Sequence, residues 1–149
     1  MSAPFQLIPY RSEHVMPLLN QMMNLDIKDS YVGGLAQLLE THPSVTGVVN
    51  GVPMVCGGVI KMWEGRGCVW TVFNEDSRRC FVPVFRGIKK FLQGQLREYR
   101  RLELAVPVSF EIGHRRAKML GFRVECHFAE KFLPNGEDCV LYAMIREGE

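Results

Sequence analysis

The segment Glu75-Asp76-Ser77-Arg78-Arg79-Cys80 places two carboxylates, a hydroxyl, two guanidiniums and a thiol in consecutive positions. It follows a strand-like run, Cys68 to Asn74, and precedes residues with helical spacing. Strand, short polar turn and helix start, in that order, point several backbone N–H groups outward, which suits an anion. The helix dipole adds roughly 0.3–1 kcal/mol per favourable charge. Arg78 and Arg79 add planar donor forks that match phosphate. The plainer reading is a solvated turn in which these arginines pair with Glu75 and Asp76, because the segment has no glycine-rich phosphate signature. Glu75 and Asp76 are candidate general bases, and Cys80, beside two arginines, is a candidate reactive thiol. His114 has the side chain whose ordinary pKa suits proton transfer near neutrality. For each of these the alternative is structural: a turn acid, a small filler, a packing histidine.

These residues need elements to hold them. Phe5 to Pro9 reads as a first strand, and Ser12 as the N-cap of a helix with Val15, Leu18, Leu19, Met22 and Met23 on its apolar face. Met16, with Met22 and Met23, reads as core filling or as an adaptable interface, core being favoured. A second helix is expected over Tyr31 to Glu40, with Leu35, Leu38 and Leu39 inward. Val45–Asn50 and Val52–Trp63 flank Asn50-Gly51, a dipeptide suited to a hairpin turn with positive φ at both positions. Glu64 to Gly67 makes the next turn, into the strand Cys68 to Asn74. A helix within Ser77 to Tyr99 carries Phe81, Val84, Ile88, Phe91 or Leu92, Leu96 and Tyr99 on one stripe, with Pro83 tolerable near its start. Leu102 to Val108 alternates like a half-buried strand. Ser109 can cap a further helix that ends at Gly121. Phe122–Phe128 and Cys139–Arg146 form a closing hairpin across Leu133-Pro134-Asn135-Gly136. Pro107 cannot donate to a ladder, so the strand Leu102–Val108 should lose its pairing there. If its neighbour is Cys68–Asn74, the two strands splay and free backbone groups for a ligand.

Composition narrows the class. The chain has 149 residues, ordinary globular composition and a formal net charge of +2, which fits one domain spanning residues 1–149. Five cysteines without a pairing pattern point to a reducing compartment. Adjacent Cys126-His127 would face opposite sides of a strand, and no metal site is expected. The N-terminus lacks an export pattern and the apolar runs are too short to span a membrane, so a cytoplasmic protein is expected. The basic residues Arg86, Lys89, Lys90 and Arg97 read as a solvated helix face rather than a nucleic-acid surface.

The order β-α-α-β-β-β-α-β-α-β-β resembles the GCN5-related N-acetyltransferase (GNAT) fold, an α/β (α+β) architecture around a mixed, mostly antiparallel sheet of six or seven strands. The segment from Phe110 to Phe122, ending Leu120-Gly121-Phe122, resembles that family's last helix. Arg101-Leu102-Glu103, this helix and Pro134–Asp138 through Leu141-Tyr142-Ala143 look like small acetyltransferase-like proteins of tailed bacteriophages and prophages. The pattern Asn50-Gly51-Val52-Pro53 to Gly57-Gly58-Val59 also fits that group.

The resemblance implies acetyl-CoA as acyl donor, held between the fourth and fifth strands. Backbone groups of Val72, Phe73 and Asn74 would bond the pantetheine. Amides from Ser77 to Cys80, with Arg78 and Arg79, would take the pyrophosphate. Phe110, His114 and Ala117 would lie near the thioester, and Arg115 or Arg116 could reach phosphate. Two departures stand out: the family's phosphate loop carries glycines where this chain has Asp76 to Phe81, and the usual acid tyrosine is Ala117 here. The implied function is transfer of an acyl group from acetyl-CoA to an amine, with Glu75 and His114 as candidate catalytic residues. The acceptor would be a small amine or protein lysines, including those of a bacterial host, with the protein in the host cytoplasm if phage-encoded. A dimer is compatible with the sequence. The alternative is a catalytically silent GNAT-like phage protein that binds a host or virion protein.

Overall fold

The computed structural model describes residues 4–19, 34–75 and 81–148. Its elements run β1 Phe5–Pro9, α1 Ser12–Leu19, a short α2 Ala36–Leu38 continued by a 3-10 turn Leu39–Thr41, β2 Ser44–Val49, β3 Val52–Trp63 and β4 Arg66–Phe73. They continue with α3 Phe81–Gln95, β5 Arg101–Pro107, α4 Glu111–Met119, β6 Arg123–Ala129 and β7 Cys139–Ile145. The seven strands are ordered β1-β2-β3-β4-β5-β7-β6, and β4 with β5 is a parallel pair among antiparallel neighbours. The expected α/β architecture and element order are present. Among the described residues, no helix is long and apolar enough to cross a membrane. Met22, Met23 and the segment Tyr31–Gly33 lie outside the described residues, as do Asp76 to Cys80.

The chain divides into two compact units, Met1–Ile60 with Trp70–Phe91, and Lys61–Val69 with Leu92–Glu149. In the first unit, β1, β2 and β3 form an antiparallel meander. Asn50 and Gly51 take φ values of 53° and 73°, the geometry that the hairpin dipeptide was expected to supply. Val15, Leu18, Leu19, Ala36, Leu39, Tyr10, Trp70 and Val72 form the unit's core. The Tyr10 hydroxyl reaches into α2 and donates to the Ala36 carbonyl at 2.9 Å, which satisfies a buried phenol. Phe5 lies where any Cβ on Gly47 of β2 or Gly87 of α3 would stand 2.5 Å or 2.3 Å from its ring. Two glycines thus make the space for one aromatic ring.

Three local expectations change in this unit. Ser12 is the first residue of α1, and its N–H donates to the Glu40 carboxylate at 2.6 Å. The cap is supplied from a distant residue, and that hydrogen bond lowers the Glu40 carboxyl pKa. Leu38 is exposed and Ala36 is buried in its place, because the tightened 3-10 turn shifts the phase of the inward face. Met16 and Phe81 are also exposed, Phe81 packing its ring on Phe85 at 4.7 Å.

In the second unit, β5 is flanked by the start of β4 and by β7, and β6 pairs with β7 at the sheet's edge. Helix α4 buries Gly113 and Ala117. Its end follows the expected pattern. Gly121 has φ 103°, its N–H donates to Lys118 at 3.1 Å, and the N–H of Phe122 donates back to Ala117 at 3.0 Å. That is a Schellman closure sealed by the buried Phe122 ring. Ser109 does not cap α4. Phe110 holds the cap position without a side-chain bond, and the Ser109 hydroxyl donates to Glu137 instead. Helix α3 ends at Gln95, so Leu96 and Tyr99 fall in turns, though Tyr99 remains buried.

Candidate functional site

The expected binding residues at the end of β4 lie in the first unit. Val72, Phe73 and Asn74 are all buried there, and Phe73 stacks on Phe85 of α3 with ring centroids 5.2 Å apart. Asn74 is tied to β3: its N–H donates to the Met54 carbonyl at 2.8 Å and its side-chain amide to the Pro53 carbonyl at 3.1 Å. Its donors therefore fasten the strand end. Glu75 follows on the surface. Ser77, Arg78, Arg79 and Cys80 fall outside the described residues.

In the second unit, the parallel register of β4 with β5 runs from Arg66↔Arg101 to Cys68↔Glu103. Strand β5 continues for four more residues in register with β7, ending at Pro107↔Cys139. The ladder with β4 thus ends at Glu103, before the proline is reached, whereas the strand and its pairing with β7 end at Pro107, as expected of a residue without an N–H. The proline also closes the turn into α4, its carbonyl accepting from Phe110 N–H at 2.9 Å.

Helix α4 carries Phe110, His114, Arg115 and Arg116 together. Phe110 is exposed over Gly113, where a Cβ would come within 2.5 Å of its ring and 2.8 Å of Val106. Arg115 faces solvent and Arg116 is half-buried. His114 is held at both ring nitrogens: Nε2 lies 3.1 Å from the Val108 carbonyl and Nδ1 lies 2.7 Å from the Tyr142 hydroxyl. A carbonyl only accepts, so Nε2 carries a proton. Burial raises the Tyr142 phenol pKa, and the phenol shares a hydrogen bond with Nδ1. The imidazole straps α4 to the exit of β5 and to β7. Tyr142 was not singled out from the sequence. The available signal was a tyrosine on the inward face of β7, whose buried hydroxyl requires a partner.

The opposite end of the unit's sheet is charged. Glu103 on β5 accepts from Arg66 Nη2 at 2.8 Å and from Arg101 Nε at 2.6 Å, and Arg66 Nε also donates to it. Arg101 extends the chain of pairs to Glu125 on β6, with Nη1 to Oε2 at 2.8 Å. The Arg66 guanidinium covers the Trp63 ring at 4.2 Å. These guanidiniums, Arg66 foremost, hold the Glu103 carboxyl below the usual range. A shallow pocket of about 450 Å³ lies among them, lined by Trp63, Gly65, Arg66, Arg100, Arg101 and Glu103. Its carboxylates and guanidiniums largely satisfy one another, which marks it as structural.

Among the described residues, no cluster of histidine, cysteine and carboxylate could hold a metal ion. The four described cysteines, Cys56, Cys68, Cys126 and Cys139, are unpaired. Cys56 is sealed in the first unit with its thiol pushed up to about 12 by burial, so it is inert.

No protein-family model and no curated protein matches the sequence. Solved structures do match along the whole chain. A GNAT-family acetyltransferase from Bacillus anthracis superposes with TM-score 0.70 at 14% identity, covering 99% of this chain and 98% of its own. The ribosomal L7/L12 α-N-protein acetyltransferase RimL, solved in complex with coenzyme A, gives TM-score 0.71 at 12% identity, with 100% of both chains covered. The microcin C7 self-immunity acetyltransferase MccE, solved with acetyl-CoA and AMP, gives TM-score 0.67 at 15% identity, with 95% of this chain and 92% of that one covered. At these identities the likeness establishes the fold alone: the chain has the architecture of these GNAT-family structures.

Proposed function

We propose that the protein is an acetyl-CoA-dependent N-acyltransferase, working as one domain over residues 1–149 and acting on an amine. The observation that carries this reading is the fold match, which spans the full length of acetyltransferases, among them ones solved with coenzyme A or acetyl-CoA. The early end of the β4–β5 ladder agrees with it, because β5 runs on past Glu103 paired with β7. Acetyl-CoA supplies the acyl group as an activated thioester.

In the first unit, we assign the backbone at Val72, Phe73 and Asn74 to the pantetheine, with Asn74 contributing through groups other than the donors it gives to β3. Ser77 and Cys80 amides, with Arg78 and Arg79, take the pyrophosphate, and Glu75 accepts the amine's proton. In the second unit, Phe110 borders the thioester while Arg115 and Arg116 favour phosphate. His114 acts chiefly by orientation, since both nitrogens are engaged in the structure. Acyl transfer tolerates this, because positioning alone can supply much of the rate. The amine is that of a small molecule or of protein lysines, a bacterial host's among them if the chain is phage-encoded, in which case it works in the host cytoplasm.

Isothermal titration with acetyl-CoA tests the reading, with saturable binding expected; no heat at about 1 mM cofactor, where even weak complexes form, overturns it. Mass spectrometry of lysine peptides incubated with acetyl-CoA then reads transfer itself. A second reading, a silent GNAT-like binding protein, is favoured by one observation: His114 has no free nitrogen and Ala117 stands in the acid position. Binding of the cofactor without transfer to any amine would select it.

A further inference from the structure

The registers Pro107↔Cys139 and Ala129↔Cys139 set the ends of β5, β7 and β6 in one row. Beyond that row, Phe128 is 67% exposed and Phe132 55% exposed, with Phe110, Val108 and Ile112 also exposed. This is an unusual concentration, since large apolar side chains gathered on one rim mark an interaction surface. Phe128 is aimed outward by the strand itself. The β6–β7 register slips between Val124 and Cys126 and again between Cys126 and Ala129. The second slip leaves His127 and Phe128 both exposed where alternation would turn one inward.

The charge of the rim is also specific. Residues 108–114 and 128–139 contain four carboxylates, Glu111, Glu130, Glu137 and Asp138, against one lysine, Lys131, in a chain whose net charge is +2. None of the rim's apolar side chains lines the pocket among Trp63, Arg66 and Arg101 or the hollow bordered by Leu120, Arg123 and Ile145. Small ligands need concave sites that cover most of their surface, so a surface-docking partner fits better.

We infer that this rim docks a peptide acceptor: a lysine-bearing segment of a protein with large apolar residues beside the amine. The aromatic side chains take the apolar flanks and the carboxylates attract the cation. This deepens the acyltransferase reading and rests on it for the claim that the docked lysine is acylated, whereas the docking itself is separable.

Fluorescence anisotropy with the full chain separates the two. The probes are a fluorescein-labelled short peptide with one lysine between phenylalanines, and the same peptide with serines in their place. The phenylalanine peptide should bind the wild type at least about tenfold more tightly than the serine peptide. The double variant Phe128→Ser/Phe132→Ser should lose about that factor, and Glu130→Lys a smaller one, each with unchanged thermal unfolding. Equal binding of the two peptides, or a double variant that binds like the wild type, overturns the inference. Tight, phenylalanine-dependent binding with no acetyl transfer on adding acetyl-CoA leaves the docking in place and removes the acyltransferase reading. Transfer to both peptides with equal efficiency does the reverse.

Discussion

The two ends of the second unit's sheet solve different problems. At the start of β5, Arg66, Arg101, Glu103 and Glu125 bond one another across β4, β5 and β6. At its other end, one imidazole lies between a phenol and a carbonyl, and the surface beyond carries exposed aromatic side chains beside Glu111, Glu130, Glu137 and Asp138. A network whose donors and acceptors are already matched has little left to offer a ligand, whereas exposed apolar side chains gain by being covered. The contrast teaches that charge already matched within the protein is a poor guide to function here. The arginine-rich end is a clamp, and the end with exposed aromatic side chains is the one to which we assign docking.

The comparison can be broken most severely at the apolar end. Gly113→Val puts a stiff side chain where Val106 and Phe110 already sit, at 2.8 Å and 2.5 Å from a Cβ. Phe110 can swing into solvent but Val106 cannot, so urea unfolding should show a loss of about 2–3 kcal/mol, as overpacking typically does. A near-neutral result would mean that α4 is not fixed on β5.

At the charged end, Glu103→Gln should cost about 1–2 kcal/mol at neutral pH, since two guanidiniums lose an ionised acceptor. The pH dependence follows from the direction of the shift. The Glu103 carboxyl is held below its ordinary value, so its contribution is complete above the unfolded carboxyl pKa of about 4.3 and fades as pH falls through the lower folded value. Unfolding curves of wild type and variant should therefore converge below about pH 4. A gap that persists at lower pH would show that packing, rather than charge, is what the variant removed.

Tyr142→Phe should cost about 1 kcal/mol by removing the hydroxyl that bonds His114 Nδ1. Unlike the Glu103 effect, it should change little when the same unfolding is run at high salt, because a hydrogen bond outside an ion pair is hardly screened. A cost that falls steeply with salt would show that charge, rather than the hydroxyl's hydrogen bond, is what the variant disturbs.

Legibility in the sequence followed the range of the interactions. The Asn50-Gly51 hairpin, the Gly121 helix end and the apolar stripe Val84, Ile88 and Leu92 are encoded within a few residues, and each appears as expected. The two serine caps failed for a common reason. Glu40 reaches Ser12 and Glu137 reaches Ser109 across 28 residues in each case, and local spacing carries no trace of such partners. Pro107 marks the end of β5 and of its pairing with β7, as its missing N–H implies, but the ladder with β4 ends earlier, at Glu103, which no local signal announces. Of the candidate site, the sequence singled out Phe110 and His114, which the structure places at the cap and in the first turns of α4. Tyr142, which fixes the state of His114, became visible only once β7 was packed beside α4, and the docking rim depends on two register slips that no periodicity announces.

The smallest effect sharpens the comparison most finely. Glu125 is the outermost member of the charged network, its side chain 40% exposed where that of Glu103 is 20% exposed. An exposed pair competes with water and gains little, so Glu125→Gln should cost no more than about 0.5 kcal/mol in urea unfolding and should lose even that in salt. The argument turns on whether Arg101 needs both carboxylates. If Glu103 alone fixes its guanidinium, the double variant Glu103→Gln/Glu125→Gln equals the sum of the singles. If Glu125 instead holds Arg101 in the pose that Glu103 requires, the singles overlap and their sum exceeds the double variant's loss. Additivity would mean the clamp is a β4–β5 device with a decorative outer charge. Overlap would extend it across the sheet to β6, the strand whose far end carries Phe128, and would make the charged end the anchor against which the docking rim is held.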